Sequence, residues 1–225
     1  MRSLKRLAIL IVLTGLAAGC ATNQPPAETP DGLVRDTSIK QAEVYKRPGA
    51  SLAGYDEYGL VPCTVAFRRN WMRDQNMDRL DLTNRVTQQD VDRIKDQLAA
   101  ECDKYFKDAL EAPPPYKLVE SFNDGEKVLI LEPQIINLDI AAPDLMSPGM
   151  SRTYTTSAGQ MTLLLDIIDG TTNETLYRVI DRRRALDTGT LQWTNSVTNK
   201  ADADRALRYW SSQLRKALDA AHGKQ

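Results

Sequence analysis

Few side chains in this 225-residue chain are suited to covalent chemistry. Cys20, Cys63 and Cys102 are its only thiols and His222 its only imidazole. A Ser–His–Asp or Cys–His unit needs an imidazole held against a nucleophile, and His222 falls in a tail expected to fray. One histidine excludes two-histidine metal motifs, and the cysteine spacing excludes the Cys-x-x-Cys redox and zinc patterns. Neither a GxxxxGK[ST] loop nor a GxSxG elbow occurs. Asp139 and Asp144 offer a carboxylate pair, with nothing in their spacing to mark them out as an acid and a base. Met146 and Met150 are soft enough for copper(I), yet no His or Cys accompanies them. No catalytic residue, metal ligand or cofactor is therefore assigned. The remaining chemistry is recognition: Arg182, Arg183 and Arg184 form a candidate anion contact, because guanidinium forks suit phosphate oxygens. Asp166, Asp181 and Asp187 nearby offer the alternative of a solvated, charge-balanced face.

Cys20 has a more definite chemistry. It closes Leu7–Cys20 (LAILIVLTGLAAGC), an apolar run preceded by Arg2, Lys5 and Arg6. A basic start, a short apolar centre and small residues before a cut site make a secretory signal peptide. The run is too short to span a membrane, which takes roughly 18 or more apolar residues. Ala17-Ala18-Gly19-Cys20 resembles the lipobox of bacterial lipoproteins, with Ala17 where Leu is usual. That resemblance implies a signal peptide over 1–19, acylation of Cys20 and, with Ala21 after it, delivery to the outer membrane. The expected partner is thus the membrane, through N-terminal acyl chains. Several chains at about 0.8 kcal/mol per methylene make release negligible.

Removing Arg2, Lys5 and Arg6 and no acid from 29 basic and 30 acidic side chains leaves 26 against 30, a mature net charge of −4. Nucleic acid is not an expected partner, since it calls for a strongly basic face. Residues 20–31 carry Pro25, Pro26 and Pro30 and little apolar content, so they read as a tether. Residues 32–222 read as one domain of a size that can bury a respectable core.

The elements that must position any site follow from periodicity. Gly32–Gly54 reads as ordered loop. Tyr58–Phe67 alternates as a half-buried strand with Pro62 near its start or edge. Arg68–Arg85 reads as a long loop. Thr87 caps a helix, with Asp90 completing a capping box, and Val91, Ile94, Leu98, Cys102 and Phe106 recur at helical spacing. Pro113, Pro114 and Pro115 stop that helix. Strands follow at Tyr116–Val119 and Val128–Ile140, the latter with a break or bulge expected at Pro133. Ala141–Ala158 is a long loop whose Leu145, Met146, Met150, Arg152 and Tyr154 form a candidate contact surface. Gln160–Ile168 and Leu176–Ala185 make a hairpin. With Asn173 left-handed, Gly170 would face Glu174, Asp166 face Arg178 and Leu165 face Val179. Thr188–Thr198 reads as a second loop, and Asn199 is expected to cap the last helix, with Ala203, Leu207, Trp210, Leu214 and Leu218 on one face.

Cys63 lies on the apolar phase of its strand and Cys102 on the apolar stripe of the helix. Outside the cytoplasm the two form an even pair open to oxidation. A disulfide and two buried thiols are both compatible with the spacing.

Several stretches together resemble the domain of unknown function 3313 family of proteobacterial lipoproteins. They are YKRPGASLAGYDEYGLVPCTVAF, APDLMSPGMSRTY, SRTYTTSAGQMTLLLDIIDGTTNETLYRVIDRRRA and TNSVTNKADADRALRYWSSQLRKALD. The resemblance covers about residues 30–220 and implies an envelope lipoprotein without supplying an activity or a ligand. The expected fold is α+β in two layers: a mostly antiparallel sheet of four to six strands covered by two amphipathic helices. The expected function is a non-enzymatic binding or assembly module on the periplasmic face of the outer membrane, with envelope proteins as possible partners. A lipid or glycan binder and a carboxylate hydrolase are the alternatives.

Overall fold

The computed structural model describes residues 24–77, 85–123, 125–140, 153–155, 159–184, 192–194 and 196–224. Cys20, Asp144, Leu145, Met146, Met150, Arg152 and Asp187 lie outside them, and Tyr154 is described in its backbone alone.

The fold is α+β. Among the described residues, ten strands and three helices run in the order β1 (Val34–Asp36), β2 (Glu43–Lys46), β3 (Glu57–Leu60), β4 (Thr64–Phe67), α1 (Trp71–Met77), α2 (Gln88–Glu111), β5 (Lys117–Val119), β6 (Val128–Ile140), β7 (Thr153–Thr155), β8 (Gly159–Asp169), β9 (Glu174–Arg184), β10 (Gln192–Thr194) and α3 (Ser196–Ala221). Eight strands form one sheet in the order β1-β2-β9-β8-β6-β3-β5, with β4 pairing β6 beyond the end of β3. Pairing is antiparallel from β1 across to β6 and parallel where β3 and β4 meet β6 and β3 meets β5. β7 and β10 pair separately, Tyr154 opposite Trp193.

Eight strands in the main sheet and three helices replace the expected four to six and two, for local reasons. β1 and β2 lie in the stretch read as loop; three and four residues long, they owe their form to pairing with each other and with β9, not to an alternation of their own. The expected strand Tyr58–Phe67 is two strands, separated at Val61, Pro62 and Cys63, where the Cys63 amide turns to Oδ1 of Asp103 (2.7 Å). α1 replaces part of the loop expected over Arg68–Arg85. Its seven residues offer only one buried apolar side chain, Trp71, which gives no period to read.

Three further expectations are corrected. β6 passes straight through Pro133, which falls in the gap between the last β3 pairing, at Leu131, and the first β4 pairing, at Gln134. The bulge lies instead at Asn137–Leu138, with Asn137 left-handed (φ 53°). In the β8–β9 hairpin Asp166 faces Arg178 and Leu165 faces Val179 as expected, but a bulge beyond Ile167 moves Glu174 opposite Asp169 instead of Gly170. Asn173 is left-handed (φ 57°). α3 begins at Ser196, ahead of the Asn199 cap expected.

α2 opens on the Thr87–Asp90 capping box: the Asp90 amide donates to the Thr87 hydroxyl (3.2 Å) and the Thr87 amide to the Asp90 carboxylate (3.0 Å). α2 and α3 cover one sheet face. Cys102, Phe106 and Leu110 of α2 and Leu207, Leu214 and Leu218 of α3 join Leu163, Leu165 and Ile167 of β8 in a single core. Each side chain buried there contributes about 1.5–3 kcal/mol. Phe106 and Leu207 are 0% exposed. No helix among the described residues is long and apolar enough to cross a membrane.

A cleft between the helices and the sheet end

The two helices run side by side in the same direction. Lys200 of α3 meets Glu101 of α2 (2.8 Å), Arg208 meets the Tyr105 hydroxyl, and Arg215 meets the end of α2. At that far end they are clamped. Arg215 donates to the carbonyls of Ala109 (3.0 Å), Ala112 (2.7 Å) and Pro114 (2.7 Å), satisfying acceptors that a helix terminus leaves open. Nε of the same guanidinium is bonded to Asp219 (2.9 Å), whose other donor is the Tyr116 hydroxyl (2.8 Å). Burial would raise the Asp219 pKa, but the donors Arg215 and Tyr116 outweigh it and hold the carboxyl below its usual value.

At the near end the helices stand off the sheet. The apolar stripe of α2 is fully buried at Cys102, Phe106 and Leu110 but only half-buried one and two turns earlier, at Leu98 and Ile94. Ala203 on α3 is half-buried too. The sheet contributes Leu138 and Ile140 from the end of β6 and Met161 from the start of β8. Together these side chains floor a cleft of about 940 Å³, a volume within the range of ligand sites.

Gly159 stands at the mouth, where β8 begins against Ile140. Its φ is +136°, and a Cβ there would run into the carbonyl of Asp139. Only glycine lets the two strands meet at this distance in that conformation.

The cleft wall is charged. Lys200 takes Glu101 (2.8 Å) and Asp204 (3.1 Å), and these acids hold its ammonium pKa above the usual value. Arg205 takes Asp202 (2.6 Å), and Asp139 is bound by Arg68 (2.9 Å). Arg183 bonds Asp181 (2.7 Å) and lies 3.9 Å over the Tyr209 ring. Asp181, 5% exposed, also accepts from the indole of Trp210 (3.0 Å). Lys104 and Arg184 stand exposed on the same wall, and neither has an acid partner among the described residues.

The three arginines of the candidate anion contact therefore do not act together. Arg182 lies on the exposed surface and donates to Gln160, Arg183 is committed to Asp181, and Arg184 alone is left to the cleft. Asp166 is taken by Arg178 through two bonds (2.7 and 2.9 Å), with Asp31 bonded to the same guanidinium. Cys63 and Cys102 place their Sγ atoms 2.19 Å apart, with Cα atoms at 6.1 Å, in the geometry of a disulfide. The two candidate loops are joined through their described parts by the β7–β10 pairing.

His222, expected in a fraying tail, packs instead against the sheet edge. Its Nε2 lies 2.6 Å from the Tyr58 hydroxyl, which itself donates to the Tyr55 carbonyl (3.0 Å). Burial, aided by the charge of Asp56, pushes the Tyr58 phenol up to about 12, so it stays protonated at neutral pH and makes a poor nucleophile or base. The aromatic Tyr58–Tyr116 contact (4.8 Å) and the Tyr116–Asp219 bond make this a packing cluster. Nothing in the sequence ties residues 58, 116 and 222 together, and the cleft was equally hidden, because helical spacing does not tell how far along a stripe the sheet extends. No group of three or more His, Cys, Asp or Glu able to hold a metal ion occurs among the described residues.

The chain belongs to the DUF3313 family, whose model, described as protein of unknown function (DUF3313), matches residues 29–214. No curated protein matches it. Among solved structures, two dodecamers of PelC from Paraburkholderia phytofirmans are matched. One, a point variant, is 8% identical, with 78% of this chain and 97% of that chain covered at a TM-score of 0.39. The other is 11% identical, with 77% and 97% covered at 0.37.

Proposed function

We propose that this member of the DUF3313 family is a lipoprotein of the cell envelope, held in the outer membrane through acyl chains on Cys20 and facing the periplasm, and that its domain is a non-enzymatic binding module. The tether is shorter than the expected 20–31, because Ala27 is already bonded to Arg35 and Asp31 to Arg178; the residues between Cys20 and Ala27 are left to set the domain off the lipid surface. The ligand is taken in the cleft between α2, α3 and the sheet end. One observation carries this reading: the apolar stripe of α2 continues through Leu98 and Ile94 beyond the point where the sheet covers it, leaving a floored cleft of about 940 Å³. A stripe that served only the core would end with it. Against a catalytic role, the acids of the cleft wall are each held by a cation and the single histidine is spent on packing.

Photo-crosslinking in native envelopes tests the site. A photoreactive residue at Ile94 should give a discrete adduct that Ala203→Trp, which fills the cleft, abolishes. The same residue at exposed Lys107, away from the cleft, should not. Equal labelling from both positions would remove the cleft from consideration. Fractionation tests the anchor: Cys20→Ser should remove the protein from the outer membrane fraction.

A further inference from the structure

Resting on that reading, we infer that the ligand of the cleft is a single-chain amphiphile with an anionic head group. Two features of the lining point the same way. The floor is aliphatic: Ile94, Leu98, Leu138, Ile140, Met161 and Ala203 present no hydrogen-bonding side chain, so they match a hydrocarbon chain and offer a sugar or peptide nothing to bond.

The wall selects charge. Its carboxylates are all engaged: Glu101 and Asp204 by Lys200, Asp202 by Arg205, Asp139 by Arg68. Lys104 and Arg184 have no such acid among the described residues, so the charge left to a ligand is positive, on a protein whose net charge is negative. Among the described lining residues, an anion meets two solvated cations and no uncompensated acid. A neutral head group gains less from them than an anion does, and a cationic one is repelled. The aliphatic floor with cations at its edge fits a chain laid along α2 and a head group left at the solvent boundary, as amphiphiles prefer.

The mature chain, titrated below the micelle concentration with dodecyl phosphate, dodecyl maltoside and inorganic phosphate and followed by amide shifts, decides the matter. Dodecyl phosphate should bind saturably, shifting Leu98, Met161 and Ala203, and more tightly than dodecyl maltoside. Inorganic phosphate alone should leave these residues unmoved. Lys104→Glu with Arg184→Glu should weaken dodecyl phosphate on the order of tenfold, the loss of about one charge-assisted contact, and leave dodecyl maltoside unchanged. Equal affinity for the two amphiphiles, or inorganic phosphate binding as well as dodecyl phosphate, overturns the inference. A glycan or peptide adduct from Ile94 in envelopes, with no dodecyl phosphate binding, overturns it while the cleft itself stands. No adduct and no titration response remove both.

Discussion

The indole N–H of Trp210 donates to Oδ2 of Asp181 at 3.0 Å, and both residues are at most 5% exposed. This bond crosses from α3 to β9 directly beneath the cleft wall. The same carboxylate holds Arg183, which lies over Tyr209. The wall is therefore set by a buried acid that faces two donors, and α3 cannot slide along the sheet without breaking the Trp210–Asp181 bond and lifting Tyr209 off Arg183.

Asp181→Ala should destabilise the domain by about 2–3 kcal/mol, because it strands a buried indole donor and a partly buried guanidinium. Trp210→Phe should cost less, since the acid keeps Arg183. Urea unfolding midpoints read both. Equal and negligible effects would mean that the acid is not holding α3.

Arg215 is expected to matter more than a surface arginine. Arg215→Met leaves the carbonyls of Ala109, Ala112 and Pro114 without their donor and Asp219 without its cation. A loss of about 2 kcal/mol is expected from several charge-assisted bonds. Asp219 is depressed in the folded state, so its contribution is present above pH 3.8, the unfolded value, and fades as pH falls through the folded value. The variant should flatten that acid limb of the stability profile.

Cys63 and Cys102 should be bridged in protein purified from the envelope, making its intact mass lower by two hydrogens than after reduction. Closing a loop over a separation of 39 residues, the bridge should stabilise by about 4 kcal/mol in the chain-entropy model. Cys63→Ser with Cys102→Ser, compared by urea unfolding, checks the magnitude.

Alkaline titration should show tyrosines that ionise only on unfolding. Burial pushes Tyr55 and Tyr58 up to about 12, Asp169 adding to the first and Asp56 to the second. Burial and the bond to Asp219 raise Tyr116 further. A phenol raised above its unfolded value of 10.0 contributes stability that is full below that pH and lost as pH climbs toward 12. Tyrosinate absorbance should therefore rise in two phases, the later one coinciding with loss of circular dichroism. A single early phase for all tyrosines would contradict this.

Much of the frame was legible in the residues. The Thr87–Asp90 cap and the three prolines bracket α2 because each acts through its own backbone neighbours. The body of the hairpin register from Leu165 to Ile167 follows from alternation and turn chemistry. What was not legible depends on partners distant in sequence. β1 and β2 are strands only because β9 offers an edge, and Pro133 is tolerated only because β3 ends near it. His222 is ordered because Tyr58 and Tyr116 receive it. The cleft belongs to this second kind: Ile94 and Leu98 have the spacing of core residues, and only the position of the sheet end shows that the core stops short of them.

The most direct measurement is native mass spectrometry of the protein extracted from envelopes in mild detergent, wild type beside Ala203→Trp. The cleft reading predicts a small molecule retained at stoichiometric yield by the wild type and absent from the variant, with the far-ultraviolet dichroism of the two alike. Wild-type protein that emerges without a ligand, or a bound species that survives Ala203→Trp unchanged, would contradict it.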